Sequence, residues 1–464
     1  MSKWILAVVV LFVATIRAMP AVDAPPRPNI VLVVIESFRR DHAGCYGYSR
    51  ETTPALDALA KEGVRFEQAI AASSWTMPSV ASLFTSTQPS VHGVTTSKAV
   101  LPDRLATLAG EFHDGGYETA GIVSNPMLHR DFGFGRGFDS YDDYTILLNV
   151  DVNLFDNKKR DSQAEKAVTG DAMTRLAVSW MKGKREKEKP FFLFLFYFDP
   201  HYDYIPPPPY DGMFQNPKYR GSCDGRGILS LRGKPLTDDD KKNVMALYDG
   251  EIRYTDEQVG RLLDELKAEG LCDNTMVVIT GDHGEEFWEH GETGHGHSLY
   301  DELIRVPLVI MAPQLVKKPM VIQDQVSLMD VMPTLLAAAR LPIPDQCQGK
   351  SLLPLLDGDN RNFKDRPLFL ETEAEARLKA VRTPTRKIVE HPDAKLMEFY
   401  SLADDPLEKQ NLADTKRETG FKGLIRQFND WKKAMAAYAP NKPPFTPKVD
   451  ERILQQIRSL GYVH

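Results

Sequence analysis

The chain has 464 residues, enough for one large domain or two ordinary ones, and its 42% hydrophobic and 26% charged residues are those of a globular protein. Its formal net charge of -7, with no sustained Lys/Arg run, argues against a nucleic-acid partner. Four widely spaced cysteines, Cys45, Cys223, Cys272 and Cys347, make no metal-finger pattern; one pair could bridge, or all could stay buried thiols.

Residues 1–24 read as a signal peptide. Lys3 precedes an apolar run ending at Ile16, too short for a membrane span, and small residues follow at Ala18, Ala21 and Ala24. The expectation is export to the periplasm or beyond, without an integral membrane domain.

After Arg27-Pro28-Asn29, the β-branched run Ile30–Ile35 predicts a central strand of a parallel sheet. It ends at Glu36-Ser37, and a carboxylate there is costly to bury unless it is paired or bound to a metal. Thr53-Pro54 opens a helix ending near Gly63, with Thr53 as N-cap. A second helix begins around Pro78, which puts Thr76 at or just before its N-terminus. Thr76 is there either a simple N-cap or a nucleophile placed where a helix end favours an anion.

Glu118–Asn125 reads as a further strand, and a helix is expected around Ala164–Met181. Phe191–Phe198 is apolar throughout, and that strand stops at Asp199-Pro200-His201 before a stiff proline run. Thr237 to about Glu269 is helical. Thr275–Ile279 is a buried strand that runs into Thr280-Gly281-Asp282-His283-Gly284-Glu285-Glu286 and on to His295 and His297. One more strand is read across Glu302–Ile310, and a helix over Ser327–Ala339.

Past Leu341 the composition changes, and a domain boundary is placed near residue 345. Short runs at Pro367–Glu371, Leu378–Arg382, Arg386–Glu390 and Met397–Leu402 predict a small antiparallel sheet, and Phe421–Ala437 an amphipathic helix. The expected organisation is a catalytic domain over 27–345 and an α+β subdomain over 346–464, with no internal repeat.

Alternating strands and helices give an α/β fold with a large mixed, mostly parallel sheet sandwiched by helices. In such sheets ligands bind at the carboxyl ends of the strands. Three strands then deliver Glu36, Asp199 with His201, and Asp282 with His283 to one edge. Carboxylates, imidazoles and a hydroxyl together suggest metal-assisted attack on an anionic ester.

These stretches closely resemble the sulfatase family of the alkaline phosphatase superfamily. The resemblance runs from Arg27 to about Ala413 and rests on RPNIVLVVIES, CYGY, TTPALDALAKEGVRF, PSVHGV, DPHYDY, TGDHGEEF, IRVPLVI and FYSLADDPLEKQNLA. It implies a hydrolase of sulfate esters. The family's Cys/Ser-x-Pro-x-Arg motif, source of its formylglycine, here reads Thr76-Met77-Pro78-Ser79-Val80. Its Asp-Asp is Glu36-Ser37, its Gly-Lys is Val123-Ser124, and its second Lys is His295. Asp282, His283 and His201 fit. The departures resemble the phosphoethanolamine and phosphoglycerol transferases of the same superfamily, which use a Thr nucleophile and a Glu-Ser first ligand.

Together these readings imply that Glu36, Thr76, Asp282 and His283 hold one divalent cation, Zn²⁺ or Mn²⁺ or else Ca²⁺ or Mg²⁺. A second metal near His201, His295 or Asp199 is an open alternative. Thr76, His201 and His295 would be catalytic, and His201, His295 and Asn125 would contact substrate. His92 and His297 are second-rank candidates, each read first as structural. The substrate would be a small anionic ester, a sulfated or phosphorylated glycan, or a lipid head group. The alternatives are a phosphate mono- or diester hydrolase or phospho-group transferase, and a silent anion- or carbohydrate-binding protein.

Overall fold

A computed structural model describes residues 26–145, 169–413 and 420–438. The expected signal peptide therefore lies outside the described residues, as does the start of the helix expected from Ala164. Fifteen strands appear among the described residues, in chain order: β1 Asn29–Ile35, β2 Val64–Ile70, β3 Glu118–Val123, β4 Ser140–Asp142, β5 Phe191–Tyr197, β6 Thr275–Gly281, β7 Glu286–Phe287, β8 Thr293–Gly294, β9 Arg305–Val306, β10 Leu308–Met311, β11 Met320–Ser327, β12 Leu368–Thr372, β13 Leu378–Arg382, β14 Arg386–His391 and β15 Leu396–Ser401.

The main sheet runs β11-β2-β10-β6-β1-β5-β3-β4, with β9 added against β2. β1 is parallel to β5 and β6, β3 is parallel to β5 and β4, and β2 is parallel to β11. Only β10 and β9 run against their neighbours. The sheet is thus mixed and mostly parallel, as expected.

β1, β5 and β6 are apolar at nearly every position because helices cover both faces. Ile30, Leu32 and Val34 join Phe192, Phe194 and Phe196 on one face, under Leu83 and Phe84 of the helix Thr76–Thr85, Phe112, and Leu335 of the helix Val331–Ala338. Val31, Val33, Leu193, Leu195, Val277 and Ile279 point the other way. They meet Met173 and Ala177 of the helix Gly170–Ser179 and Val244, Val259 and Leu262 of the long helix Asp238–Ala268. Each of these side chains contributes about 1.5–3 kcal/mol by leaving water.

The small sheet β12-β13-β14-β15 is antiparallel throughout, and the helix Lys422–Ala436 packs Phe428 and Trp431 beside its Val381, Ile388 and Phe399. Among the described residues no helix is long and apolar enough to cross a membrane.

Some elements differ from expectation. Glu302–Ile310 is not one strand: it divides into a helical turn Asp301–Ile304, then β9 and β10. Pro307 lacks an N–H, which interrupts the ladder between them. Thr53 precedes its helix but makes no capping bond; its hydroxyl donates to Asp57 (2.9 Å) and accepts from Gly44 N–H (2.8 Å). The expected Ala164–Met181 helix is described over Gly170–Ser179, followed by a wider turn to Lys184. The four cysteines are all free thiols.

Candidate active site

Register places the site. Ile35 lies beside Tyr197 on one side and Gly281 on the other, and Val123 lies beside Phe196. Four parallel strands therefore end in step, and the residues just past them emerge together: Glu36, Asn125, His201 and Asp282-His283. Ser37 turns the chain sharply, with φ of 53°, a conformation strained for a non-glycine residue. That turn aims the Ser37 N–H at Asp282 Oδ1 (3.0 Å), and Tyr248 holds it by donating to Ser37 O (2.6 Å). Gly284 is needed for a different reason: a Cβ there would lie 1.9 Å from Glu302 O.

Thr76 is the first residue of its helix, after an extended Trp75, and no side chain caps the helix end. The alternative that Thr76 is merely an N-cap is therefore not what the fold shows. Its hydroxyl instead donates to Glu36 Oε1 (2.9 Å) and lies 3.3 Å from His283 Nε2. Three residues on, Ser79 donates to Asp282 O (2.6 Å) and pins the helix to the end of β6. The hydroxyl thus sits at the positive end of the helix dipole, where negative charge is favoured.

Each histidine is oriented through Nδ1. His283 Nδ1 lies 2.8 Å from Gly284 O and His201 Nδ1 lies 2.6 Å from Tyr202 O, so in both the Nδ1 proton is donated to a carbonyl. The lone pair then sits on Nε2. His283 Nε2 faces Thr76 and Asp282 Oδ2 (3.3 Å), and His201 Nε2 lies 3.8 Å from Glu36 Oε1. His295 Nδ1 meets the carboxylate of Glu285 at 3.1 Å. Its ring centroid is 4.4 Å from that of His283 and 5.1 Å from that of His201.

Asn125 is tied to the same group: its amide donates to both oxygens of Glu36 (2.7 and 2.8 Å), while its own oxygen accepts from Met127 N–H (2.7 Å). Asp199 is directed elsewhere, accepting from the N–H groups of Thr169 (3.1 Å) and Gly170 (3.0 Å) at the start of a helix. His92 bonds Ser82 (3.0 Å) and Val94 N–H (3.0 Å) in the interior, and burial pushes its imidazole down to about 3. His297 meets Glu286 at 2.7 Å.

Glu36, Asp282 and His283 are 0%, 1% and 0% exposed, and their ligand atoms all lie within 4.8 Å of one another. Burial, reinforced by Asp282, pushes Glu36 well above the ordinary carboxylate range, and burial raises Asp282 as well. Among the described residues no Lys or Arg bonds either one, and Asp282 Oδ2 has no hydrogen-bond partner. Two buried acids facing each other with an orphaned oxygen and an imidazole lone pair fit a divalent cation. A second grouping, Glu286, His290 and Glu302, is different: its donors and acceptors already bond one another and the backbone. It ties the β7–β8 hairpin to the turn after it.

Sequence reasoning missed Glu285. It is fully buried, borders His295, and is pushed up to about 7 chiefly by burial. No local pattern marks it, because two consecutive acids in a loop after a strand read as solvent-facing, yet Glu285 and Glu286 are both buried. Two of the positions that depart from the sulfatase pattern, Val80 and Ser124, have ordinary structural work. Val80 packs in the core, and Ser124 donates to Phe196 O (3.1 Å) and accepts from Phe198 N–H (2.9 Å), joining β3 to β5.

The family model described as Sulfatase matches residues 28–341, and one described as N-sulphoglucosamine sulphohydrolase, C-terminal, matches residues 289–433. An arylsulfatase of Clostridium perfringens is 27% identical over 440 residues, covering 84% of this chain and 91% of the relative. The structure of BT4656 in complex with its substrate D-Glucosamine-2-N, 6-O-disulfate superposes with a TM-score of 0.74 at 21% identity, covering 90% of this chain and 99% of that one. The phosphonate monoester hydrolase of Agrobacterium radiobacter gives a TM-score of 0.72 at 22% identity, covering 89% of this chain and 96% of that one. With more than half its length matched, and its strand-end site in the same stretch, the chain belongs to the sulfatase family of ester hydrolases.

Proposed function

We propose that this protein is an exported, metal-dependent hydrolase of sulfate esters that uses Thr76 itself as nucleophile. The observation that carries the reading is the Thr76 hydroxyl, 2.9 Å from Glu36 and 3.3 Å from His283 Nε2. A divalent cation held by Glu36, Thr76, Asp282 and His283 would lower the pKa of that hydroxyl and offset charge on the ester oxygens. Zn²⁺ or Mn²⁺ suits the mixed nitrogen and oxygen donors at least as well as Ca²⁺ or Mg²⁺.

Thr76 Oγ, having given its proton to the Glu36 carboxylate it already touches, attacks sulfur. The Oγ–S bond forms as the bond to the leaving oxygen breaks. His201 and His295 would contact the transferred oxygens, and the proton taken up by Glu36 would pass through His201 Nε2, 3.8 Å away, to the departing alcohol. Water then cleaves the Thr76 ester, releasing sulfate. Asn125 acts through Glu36, fixing the carboxylate that receives the hydroxyl proton.

Charge selects among esters. One divalent cation would balance Glu36 and Asp282, Glu285 adds a further acid, and among the described residues no Lys or Arg bonds the two ligand carboxylates. A singly charged ester is favoured over a dianionic phosphate monoester, because added negative charge in a buried acidic site is costly. The second reading, hydrolysis of a phosphodiester or phosphonate monoester, meets the same charge rule and is supported by the threonine in the nucleophile position.

The test is direct. Metal-stripped protein, reloaded in turn with Zn²⁺, Mn²⁺, Ca²⁺ and Mg²⁺, is assayed with nitrophenyl sulfate, nitrophenyl phosphate and bis-nitrophenyl phosphate. Trapped adducts are located by mass spectrometry. Turnover with an adduct on Thr76 is expected; an adduct on any other residue would falsify the mechanism.

A further inference from the structure

The family's two lysines are missing, yet a guanidinium stands beside the two histidines. Arg232 follows the turn Ile228–Leu231. Its Nε donates to Thr293 O (2.8 Å) and lies 4.0 Å from Glu292; its Nη1 pairs with Glu375 (2.6 Å). Its Nη2 is buried without any hydrogen-bond partner.

The guanidinium approaches so closely because residue 294 is glycine. With φ of +89°, Gly294 would place a Cβ 2.8 Å from Nη2 and 3.7 Å from a ring carbon of Tyr202. Tyr202 in turn stacks on His295 at 5.0 Å and touches His201 at 4.1 Å. Arg232, Tyr202 and the two catalytic histidines therefore form one continuous wall, and the charge of Arg232 is felt at both Glu285 and His295. Glu375, the partner of Arg232, is 41% exposed and can be displaced; Arg232 is 24% exposed. A planar fork with a spare donor next to a reacting centre is the usual reader of a carboxylate or sulfate.

We infer that Arg232 is a specificity residue that binds a second anionic group, carboxylate or sulfate, carried on the same substrate as the scissile ester. The inference rests on the ester-hydrolase reading above. Glu375 then acts as an internal stand-in, occupying the fork until substrate arrives.

The test uses matched pairs on metal-loaded enzyme: glucosamine 6-O-sulfate against glucosamine N,6-disulfate, and phenyl sulfate against 4-carboxyphenyl sulfate. Arg232→Gln should raise KM for a two-anion member roughly ten- to a hundredfold, with kcat and the one-anion member little changed. Glu375→Gln should lower KM for the same two-anion member severalfold. The pair that responds tells sulfate from carboxylate. Calorimetric binding of each pair reads the same difference without turnover. Equal losses on both members, both variants acting in the same direction, or a wild type that binds the members of each pair equally would reduce Arg232 to a clamp between Thr293 and Glu375. Labelling away from Thr76 would sink the nucleophile and leave this preference to be judged by the pairs alone.

Discussion

Two places in this molecule bury carboxylates, and they solve the problem in opposite ways. Where the small sheet meets the large one, Asp301 accepts from Arg382 (2.9 and 2.7 Å) and Lys387 (3.1 Å), and Lys387 also reaches Glu408 (2.8 Å). Burial alone would push Asp301 up, but Arg382 and Lys387 outweigh it and hold the acid far below its ordinary range. At the strand ends, the partners of Glu36 and Asp282 among the described residues are each other, a hydroxyl, an amide, two backbone N–H groups and imidazoles, none of them a Lys or Arg, and both acids are pushed up. The first arrangement is complete within the chain. The second lacks a positive charge, and that deficit, more than the residue types, distinguishes a site from a structural network.

The comparison breaks most visibly through Thr76. Thr76→Ala should cut turnover by roughly a thousandfold or more while leaving metal affinity measurable and thermal stability near wild type. Retained turnover in that variant would mean that the hydroxyl beside Glu36 does no chemistry.

Next in size are opposite stability effects from removing an acid at each place. Asp301→Asn leaves Arg382 and Lys387 buried without their partner and should cost about 3–5 kcal/mol, with or without metal. Glu36→Gln relieves repulsion with Asp282, so the metal-free protein should melt higher while the gain on adding Zn²⁺ disappears. Chemical denaturation of both variants in chelator and in metal checks the pair. Destabilisation by both, independent of metal, would erase the distinction.

A smaller effect is expected from Asn125→Ala. It removes two hydrogen bonds that aim Glu36, and loss of such a supporting partner lowers metal affinity roughly ten- to a hundredfold. Competition with a fluorescent chelator reads it.

The legibility of these regions in the sequence follows from the same physics. β1, β5 and β6 were readable because strands covered on both faces are apolar almost without interruption, and Glu36, Asp282 and His283 stood out by ending such runs. β2 was passed over although Val64 and Phe66 alternate with Arg65 and Glu67, a period-2 signal hidden by the helix just before it. β11 is an edge strand whose outer half is polar, so it carried little pattern. The role of Thr76 could not be separated from capping by local sequence, because both uses want a hydroxyl at a helix start. The partners of Asp301 come from 81 and 86 residues downstream, and no local pattern announces a match of that kind.

The smallest expected effect is also the one that reads the contrast continuously. Glu36 and Asp282 bind a proton more tightly folded than unfolded, and Glu285 does so up to about 7. Their stabilising contribution is full below the unfolded carboxylate value of about 4 and is lost as pH rises through the folded values. Asp301 has the reverse sign: its contribution is present above about 4 and is lost on further acidification. Glu408 and Asp256, both raised to about 7 with burial as the first cause, add a slope like that of the site but have no metal to respond to. The readout is therefore the difference between melting midpoints with Zn²⁺ and with chelator. Protons and metal compete for the same buried oxygens, so that difference should be largest near pH 8 and shrink steadily toward pH 5. In Asp301→Asn both midpoints should drop together, leaving the difference and its pH dependence unchanged. In Glu36→Gln that dependence should flatten, and a difference that is flat in the wild type as well would mean that metal binds somewhere other than these two acids.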